Sequence, residues 1–256
     1  MTPATFKRLI RDLQVWCSSC MVAFSGSDPI AVLIGAKRPS VTLIHRIAVH
    51  PDHLRQGHGR HLLTSLSSKL AILGPPRIVA EVPESLTAAC ALFGASGFTP
   101  EAVLTDYLLE DASRSQPALS ERAKDARVEG FVIPVTVDDL AANGLLEDGP
   151  RVCWERSIES LTARKDEIAG LAVASDERIE ASVLYSNDGA IDSLRSFVDD
   201  GGARLSHLLS HLGARVQGVF RFPKVHPAEM SKELLELLGF RAAGHYRLYS
   251  ARARAH

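Results

Sequence analysis

The chain has 256 residues, enough for one large domain or two small ones at roughly 100–200 residues each. Hydrophobic residues make up 46% and charged residues 23%, a balance that can bury a sizeable core, and the formal net charge of -1 argues against bulk attraction to nucleic acid or to an anionic membrane. No apolar run approaches the length of about 18 residues that a membrane span needs, and the opening MTPATFKRLIRDL lacks the apolar stretch of a secretory signal. A cytoplasmic protein with reduced thiols is therefore expected. Its four cysteines, Cys17, Cys20, Cys90 and Cys153, are too few and too scattered for a disulfide framework. Cys17-Ser-Ser-Cys20 has no second ligand pair to make it a metal or redox motif, and the alternation in SCMVAF places Cys20 in a strand.

In chain order, residues 3–14 read as a helix, with Phe6, Ile10 and Leu13 at helical spacing. Strands over 19–24 and 30–36 flank Ser25-Gly26-Ser27-Asp28-Pro29, a strong turn signal. Residues 41–50, VTLIHRIAVH, form a strand rich in β-branched residues. The loop PDHLRQGHG leads into a helix from Arg60 to Leu73, which Gly74-Pro75-Pro76 ends. A strand over 77–82, a short helix over 85–95 closing at Gly97, and a strand near 101–109 complete the first half. This order predicts an α/β fold with a mixed sheet.

Residues 111–127, DASRSQPALSERAKDAR, are polar and carry no core pattern, so they read as a linker. Beyond them IAGLAVAS and EASVLYSN form a hairpin, followed by the strand AIDSLRSFV, a helix opening at GGARLSHLLSHL, the strand GVFRFPKV, the helix AEMSKELLELLGF and a final strand HYRLYSARA.

The second half echoes the first. QGHGRHLLTSL at 56–66 can be laid on DGGARLSHLLSHL at 200–212, with Gly59 against Ala203, and Gly97-Phe98 against Gly239-Phe240. A small-residue turn, a leucine-rich helix and a distant Gly-Phe, in the same order, predict tandem repeated domains. The expected boundaries are 1–112, a linker over 113–127, and 128–256.

Residues 49–63, VHPDHLRQGHGRHLL, carry the chemistry. A strand ends, a glycine-rich loop turns, and a helix begins. The first turn of a helix presents unpaired N–H groups and a partial positive charge, which suit a diphosphate. Gly57 and Gly59 let the backbone approach a ligand, and Arg55 and Arg60 add charge. The Gly-Lys-Ser/Thr of a nucleotide-hydrolysing loop is absent, and so is GxGxxG with its downstream acid.

Ile47-Ala48-Val49-His50-Pro51-Asp52 followed by Arg55-Gln56-Gly57-His58-Gly59-Arg60-His61-Leu62-Leu63 resembles motif A of the GCN5-related N-acetyltransferase (GNAT) superfamily. The family's Gln/Arg-x-x-Gly-x-Gly/Ala has Leu54 at its first position here. The resemblance covers about residues 15–110 well and 128–256 as a degenerate copy. It implies two tandem GNAT-like acyl-CoA N-acyltransferase domains with acetyl-CoA as co-substrate. It further implies that the backbone of Ile47, Ala48 and Val49 pairs with the pantetheine arm, and that Leu54, Arg55, Gln56, Gly57, His58, Gly59 and Arg60 cradle the pyrophosphate. The strands 41–50 and 77–82 would splay to admit the thioester.

Transfer to an amine also needs the amine deprotonated and the leaving thiolate protonated. The tyrosine that supplies the latter proton in many family members is replaced by Phe93 in the first copy and by Leu235 in the second. Two candidate bases are His45, on the strand before Ile47, and Glu81, on RIVAEV. A histidine stands in the matching strand position of some arylalkylamine acetyltransferases. His50, His53, His58 and His61 show metal-like spacing, but the diphosphate claims their loop and no acidic or cysteine partner accompanies them, so no metal is expected. In the second copy Asp199 and Asp200 precede the glycine turn and would repel a diphosphate, so that half is expected not to bind coenzyme A. The expected function is acetyl transfer from acetyl-CoA to a small amine. The alternative is a non-catalytic acyl-CoA-binding or sensor protein. The oligomeric state, monomer or homodimer, stays open.

Overall fold

The computed structural model describes residues 2–110, 131–146, 151–216 and 218–255. The expected linker, 113–127, lies outside them. The chain divides into two compact units, Met1–Val103 with His245–His256, and Leu104–Gly244. The final strand is thus shared out: its last part belongs with the first unit, although the sequence reading had assigned it wholly to the second half.

In the first unit, helix α1 (Pro3–Asp12) is followed by a short 3-10 turn at Cys17–Ser19 and strands β1 (Met21–Ser25), β2 (Asp28–Lys37) and β3 (Val41–Val49). Leu13, just past α1, is buried, while Phe6 stays exposed. Cys20 does not enter the strand as expected. It caps the 3-10 turn, its amide donating to Cys17 O, and its thiol donates to Trp16 O at 3.3 Å. Gly35 is dictated by a close approach, since a Cβ there would stand 2.4 Å from the carbonyl oxygen of Ser19.

Strands β1, β2 and β3 form an antiparallel meander, Met21 opposite Leu33 and Leu33 opposite Ile47. Helix α2 (His58–Leu73) then crosses over to β4 (Arg77–Pro83), which lies parallel to β3. Helix α3 (Thr87–Ala95) leads to β5 (Thr99–Leu109), which runs from the first unit into the second. The outer side of β4 is paired antiparallel, from Tyr246 opposite Pro83 to Arg252 opposite Arg77, by the last part of the final strand, β11 (Arg241–Arg252). One face of this sheet buries a single core. Leu62, Leu63, Leu66 and Leu70 of α2 lie at helical spacing against Leu33, Ile44, Ile78, Phe93, Phe98 and Tyr249.

In the second unit, β6 (Phe131–Val135), β7 (Ile168–Ala174), β8 (Ile179–Ser186) and β9 (Ile191–Ser196) form an antiparallel sheet in that order. Strand β10 (Phe220–Val225) pairs antiparallel with the Thr105–Leu109 part of β5. Helices α4 (Val137–Ala142), α5 (Ile158–Ala163), α6 (Ala203–Arg215) and α7 (Lys232–Leu237) complete it. Strand β6 and helices α4 and α5 were not read from the sequence. α4 opens on a reciprocal capping box between Thr136 and Asp139. Leu205, Leu208, Leu209 and Leu212 of α6 pack on Leu171, Val183, Leu194, Phe220 and Phe222.

A buried ion pair ties this unit together. Both guanidinium NH groups of Arg156 reach Glu229 at 2.6 Å, its Nε donates to Pro223 O at 2.9 Å, and its plane lies 4.5 Å from the Phe222 ring centroid. Burial alone would lower the pKa of this guanidinium, but Glu229 outweighs it and holds the proton more firmly than usual. No helix among the described residues is long and apolar enough to cross a membrane.

Candidate coenzyme-binding site

The site begins where β3 and β4 part. Only three residue pairs join them, Val41 with Arg77, Thr42 with Ile78 and Leu43 with Val79. Beyond Leu43, β3 continues to Val49 paired only on its other side, with β2, while β4 is held from Ala80 to Pro83 by β11. The backbone of β3 from Ile44 onward therefore turns an edge toward a gap between two otherwise parallel strands. A strand edge of this kind offers N–H and C=O groups to any extended chain laid beside it.

A β-bulge sits at the mouth of the gap. Ile34 lies opposite Arg46 and Gly35 opposite Ile44, so His45 is the extra residue on β3. Such a bulge re-aims side chains and bends the strand. Ile47 and Val49 pack toward the core, while Arg46, Ala48 and His50 are exposed. His45 is half-buried, and the Nε of Arg46 donates to it over 3.4 Å. Glu81 lies on β4 opposite Leu248 of β11, on the sheet face away from Ile78, Ala80 and Val82, and is also half-buried. The bulge and this register bring both candidate bases to the same stretch of splayed sheet.

The strand feeds a short 3-10 turn, Pro51–His53, and then the loop. Arg55 adopts φ +63° and Gly57 φ +85°, two left-handed residues that fold the chain back so that Gly57 caps α2. The helix begins at His58, two residues earlier than the sequence suggested. His61 donates to Gly57 O at 2.9 Å, so the amides of His58, Gly59 and Arg60 ahead of it have no intrahelical acceptor. A Cβ at Gly57 would meet nothing within 4 Å, so the space over the cap is open, whereas a Cβ at Gly59 would come to 3.0 Å from Leu92. The two glycines serve different ends: Gly57 provides the turn and the open approach, and Gly59 lets α2 pack on α3. Arg55, Gln56 and Arg60 are exposed around this opening. Leu54 is exposed too, but its amide is committed to Pro51 O at 3.3 Å. The residues present fit a pyrophosphate beside an extended arm.

The histidines of the loop form a chain of rings. His50 and His53 stand 6.0 Å apart and His53 and His58 5.9 Å apart, edge to face. Among the described residues no group of three or more His, Cys, Asp or Glu side chains is placed to hold a metal ion.

Phe93 is 2% exposed. Its ring meets Phe98 edge-on at 5.1 Å and stacks on Tyr249 at 5.7 Å. The last strand was not expected here. No local pattern in the sequence marked it, since β5 was equally available as a partner for β4.

The second unit repeats the loop with a carboxylate on its helix-start amides. Gly202 caps α6 at φ +89°, so its counterpart is Gly57, one residue away from the alignment of Gly59 with Ala203. The carboxylate of Asp200 accepts from the amides of Gly202 at 3.0 Å and Arg204 at 2.9 Å. Arg204 closes the arrangement with bonds to Asp200 and Glu180. Here a side-chain carboxylate caps the helix start, where the first unit leaves open space.

Residues 3–98 match the model of the acetyltransferase (GNAT) family. No curated protein matches the chain. Among solved structures, a tandem GNAT protein from the clavulanic acid biosynthesis pathway is 16% identical, covering 96% of this chain and 87% of its own, with TM-score 0.61. A GCN5-related N-acetyltransferase from Sphaerobacter thermophilus is 15% identical over 97% of this chain and 85% of its own, with TM-score 0.59. Another from Anabaena variabilis is 10% identical over 99% of this chain and 67% of its own, with TM-score 0.62. At these identities the likeness is one of fold, and it spans both units. Residues 3–98 thus match the GNAT acetyltransferase family, and along nearly its whole length the chain has the fold of a tandem GNAT protein.

Proposed function

We propose that the protein transfers acetyl from acetyl-CoA to the amine of a small acceptor, using the first unit alone for the coenzyme. The observation that carries this reading is the three-pair limit of the β3–β4 ladder, directly upstream of an open, glycine-capped helix. The pantetheine arm would lie along Ile47, Ala48 and Val49. The pyrophosphate would lie on the amides from Arg55 to Arg60. Leu54, whose amide is already bonded, would contribute only shape. His45 or Glu81 would take the amine proton, directly or through one water. The second unit, its loop occupied by Asp200, would have a structural or acceptor-shaping role.

The test is calorimetry with acetyl-CoA followed by thiol release over a panel of amines. Binding with turnover of at least one amine supports the proposal. A Kd beyond the millimolar range would remove the coenzyme assignment. A second reading, a non-catalytic acyl-CoA binder or sensor, is favoured by Phe93, which puts an apolar ring in place of the family's phenol. Tight binding without turnover of any amine would select it.

A further inference from the structure

The first unit ends on a strand with an unguarded edge. On its inner side β1 pairs with β2, from Met21 opposite Leu33 to Ser25 opposite Asp28. On its outer side no strand lies beside it among the described residues, and it stands at the end of its sheet. An end strand presents a row of unpaired N–H and C=O groups, and proteins guard such rows with charged residues, proline or a bulge in the strand itself. The other end strands among the described residues are guarded in this way: β10 carries Arg221, Pro223 and Lys224, β9 carries Asp192 and Arg195, and β6 carries Pro134. β1, MVAFS, carries none of these, and no Asp, Glu, Lys, Arg or Pro occurs from Trp16 to Ser27. The irregularity in its pairing falls on β2: Ala23 lies opposite Ala31 and Phe24 opposite Pro29, so Ile30 is the extra residue and β1 itself holds none.

The same edge is rich in apolar side chains. Val22 is 49% exposed, Phe24 61% and Trp16 58%. Val22 and Phe24 share the sheet face away from α2, and Val32, opposite Val22, continues it. Met21 and Ala23 point to the other face and pack partly against the core under α2. The second unit shows what such an edge accepts. Its meander of β7, β8 and β9 precedes a glycine-capped helix, as β1, β2 and β3 do. There the outer side of β7 is paired antiparallel by β6, from Phe131 opposite Ala174 to Val135 opposite Gly170.

We infer that β1 pairs antiparallel with β1 of a second copy of this chain, joining two first units into one continuous sheet about a two-fold axis at Ala23. The occupant is a copy because the segment is complementary to itself. In that register Ala23 faces its own copy, Val22 meets Phe24, and Met21 meets Ser25. Each pair joins residues two apart or identical, so the side chains that lie under α2 stay on one face of the joint sheet, and Val22 and Phe24 stay on the other. Valine against an aromatic ring is a favourable cross-strand pair. The absence of charge removes the like-charge repulsion that self-pairing brings to ordinary surface strands, and it offers nothing to select an acidic or a basic partner. The contact is short, five residues on each side with Trp16 beside them, so association in roughly the micromolar range or weaker is expected. This inference does not depend on the coenzyme reading.

The experiment is sedimentation velocity of the full chain between about 1 and 200 μM, a range that brackets an interface of this size. The wild type should pass from monomer to dimer as concentration rises. Val22→Lys places a charge on the edge without disturbing a buried group, and it does so twice in a two-fold interface. It should weaken association by roughly tenfold or more while the protein still melts cooperatively. Phe24→Glu should weaken it likewise. An equimolar mixture of Val22→Lys with Phe24→Glu sets the two new charges opposite one another in the stated register, and should associate more tightly than either variant alone. Ser25→Lys, at an exposed strand end, guards against failure of either variant to fold and should also weaken association. A monomer at every concentration would overturn the proposal. A dimer as tight in these variants as in the wild type would place the interface elsewhere and overturn it too, and a mixture no tighter than its components would overturn the register on which it rests.

Discussion

The ring of Tyr249, in the last strand, lies stacked on the ring of Phe93, in the third helix, with centroids 5.7 Å apart and planes 18° apart. Both are buried in the same core as the leucines of α2. Ala251 and Ala253 pack against that core, and Ala253 donates its amide to Pro76 O at 2.7 Å. The carboxyl-terminal residues are therefore part of the unit that carries the glycine loop.

That relationship predicts a stability effect. Tyr249→Ala removes a stacked ring from a filled core and should cost about 3–5 kcal/mol, as large aromatic deletions do. Chemical denaturation monitored by circular dichroism measures it. A truncated chain ending at residue 112 should fail to fold cooperatively, because β4 would lose its antiparallel partner.

The loop predicts a loss of binding without a loss of fold. Gly57→Glu places a carboxylate over the open cap and a side chain at φ +85°. The backbone strain is about 1 kcal/mol, small beside the charge effect on a diphosphate. Coenzyme A affinity should fall by at least tenfold or so, with the thermal midpoint shifted only a few degrees. Unchanged affinity would contradict the loop assignment.

The bulge predicts a division between turnover and binding. His45→Ala, at the extra residue of β3, should lower kcat by about a hundredfold or more if its imidazole is the base, with the Kd for acetyl-CoA little changed. Glu81→Gln is the parallel experiment. Whichever variant turns over normally is removed from the proton-transfer step, and normal turnover by both assigns that step to water.

The buried pair of the second unit predicts asymmetry. Arg156→Met alone strands Glu229, and Glu229→Leu alone strands Arg156, so each should cost about 3–5 kcal/mol. The double replacement leaves no buried charge and should recover most of that loss. A double-mutant cycle in urea decides it.

Helix α6 predicts a pH dependence of stability. His207 and His211 stand 4.6 Å apart, and burial, followed by the charge of His211, lowers the pKa of His207 below its usual 6.5. A base whose folded pKa is depressed favours its neutral form in the native state. Its contribution is present above the unfolded value and is lost as pH falls through the folded one. The urea midpoint of the wild type should decline below about pH 6.5, and His207→Gln should flatten that decline. An identical slope in both proteins would assign the acid sensitivity to other groups.

Much of the first unit was legible in the chain. The alternating strand over Val41–Val49, the glycine turn and the leucine-spaced helix each declare themselves through period and turn chemistry, which are local properties. So did the repeated Gly-Phe: Gly97 and Gly239 both adopt positive φ, and Phe98 and Phe240 are both buried. Helix α5 hid because its six residues, IESLTA, carry too short a pattern. The helix start at His58 was missed because a left-handed glycine and an ordinary helix residue read alike in one dimension.

By itself, then, the sequence determined the strand, glycine turn and leucine-rich helix of the first unit and that the pattern recurs with acidic residues in its second copy. Tertiary structure decided the rest. It alone ends the β3–β4 ladder at Leu43, places His45 on a bulge, and puts Asp200 on the amides of the second loop. It alone brings Tyr249 to Phe93, across 156 positions of chain. The reason is that helix and turn preferences act within a few residues, whereas which strand pairs with which is settled by burying a common core, and a single sequence does not carry that competition in its local pattern.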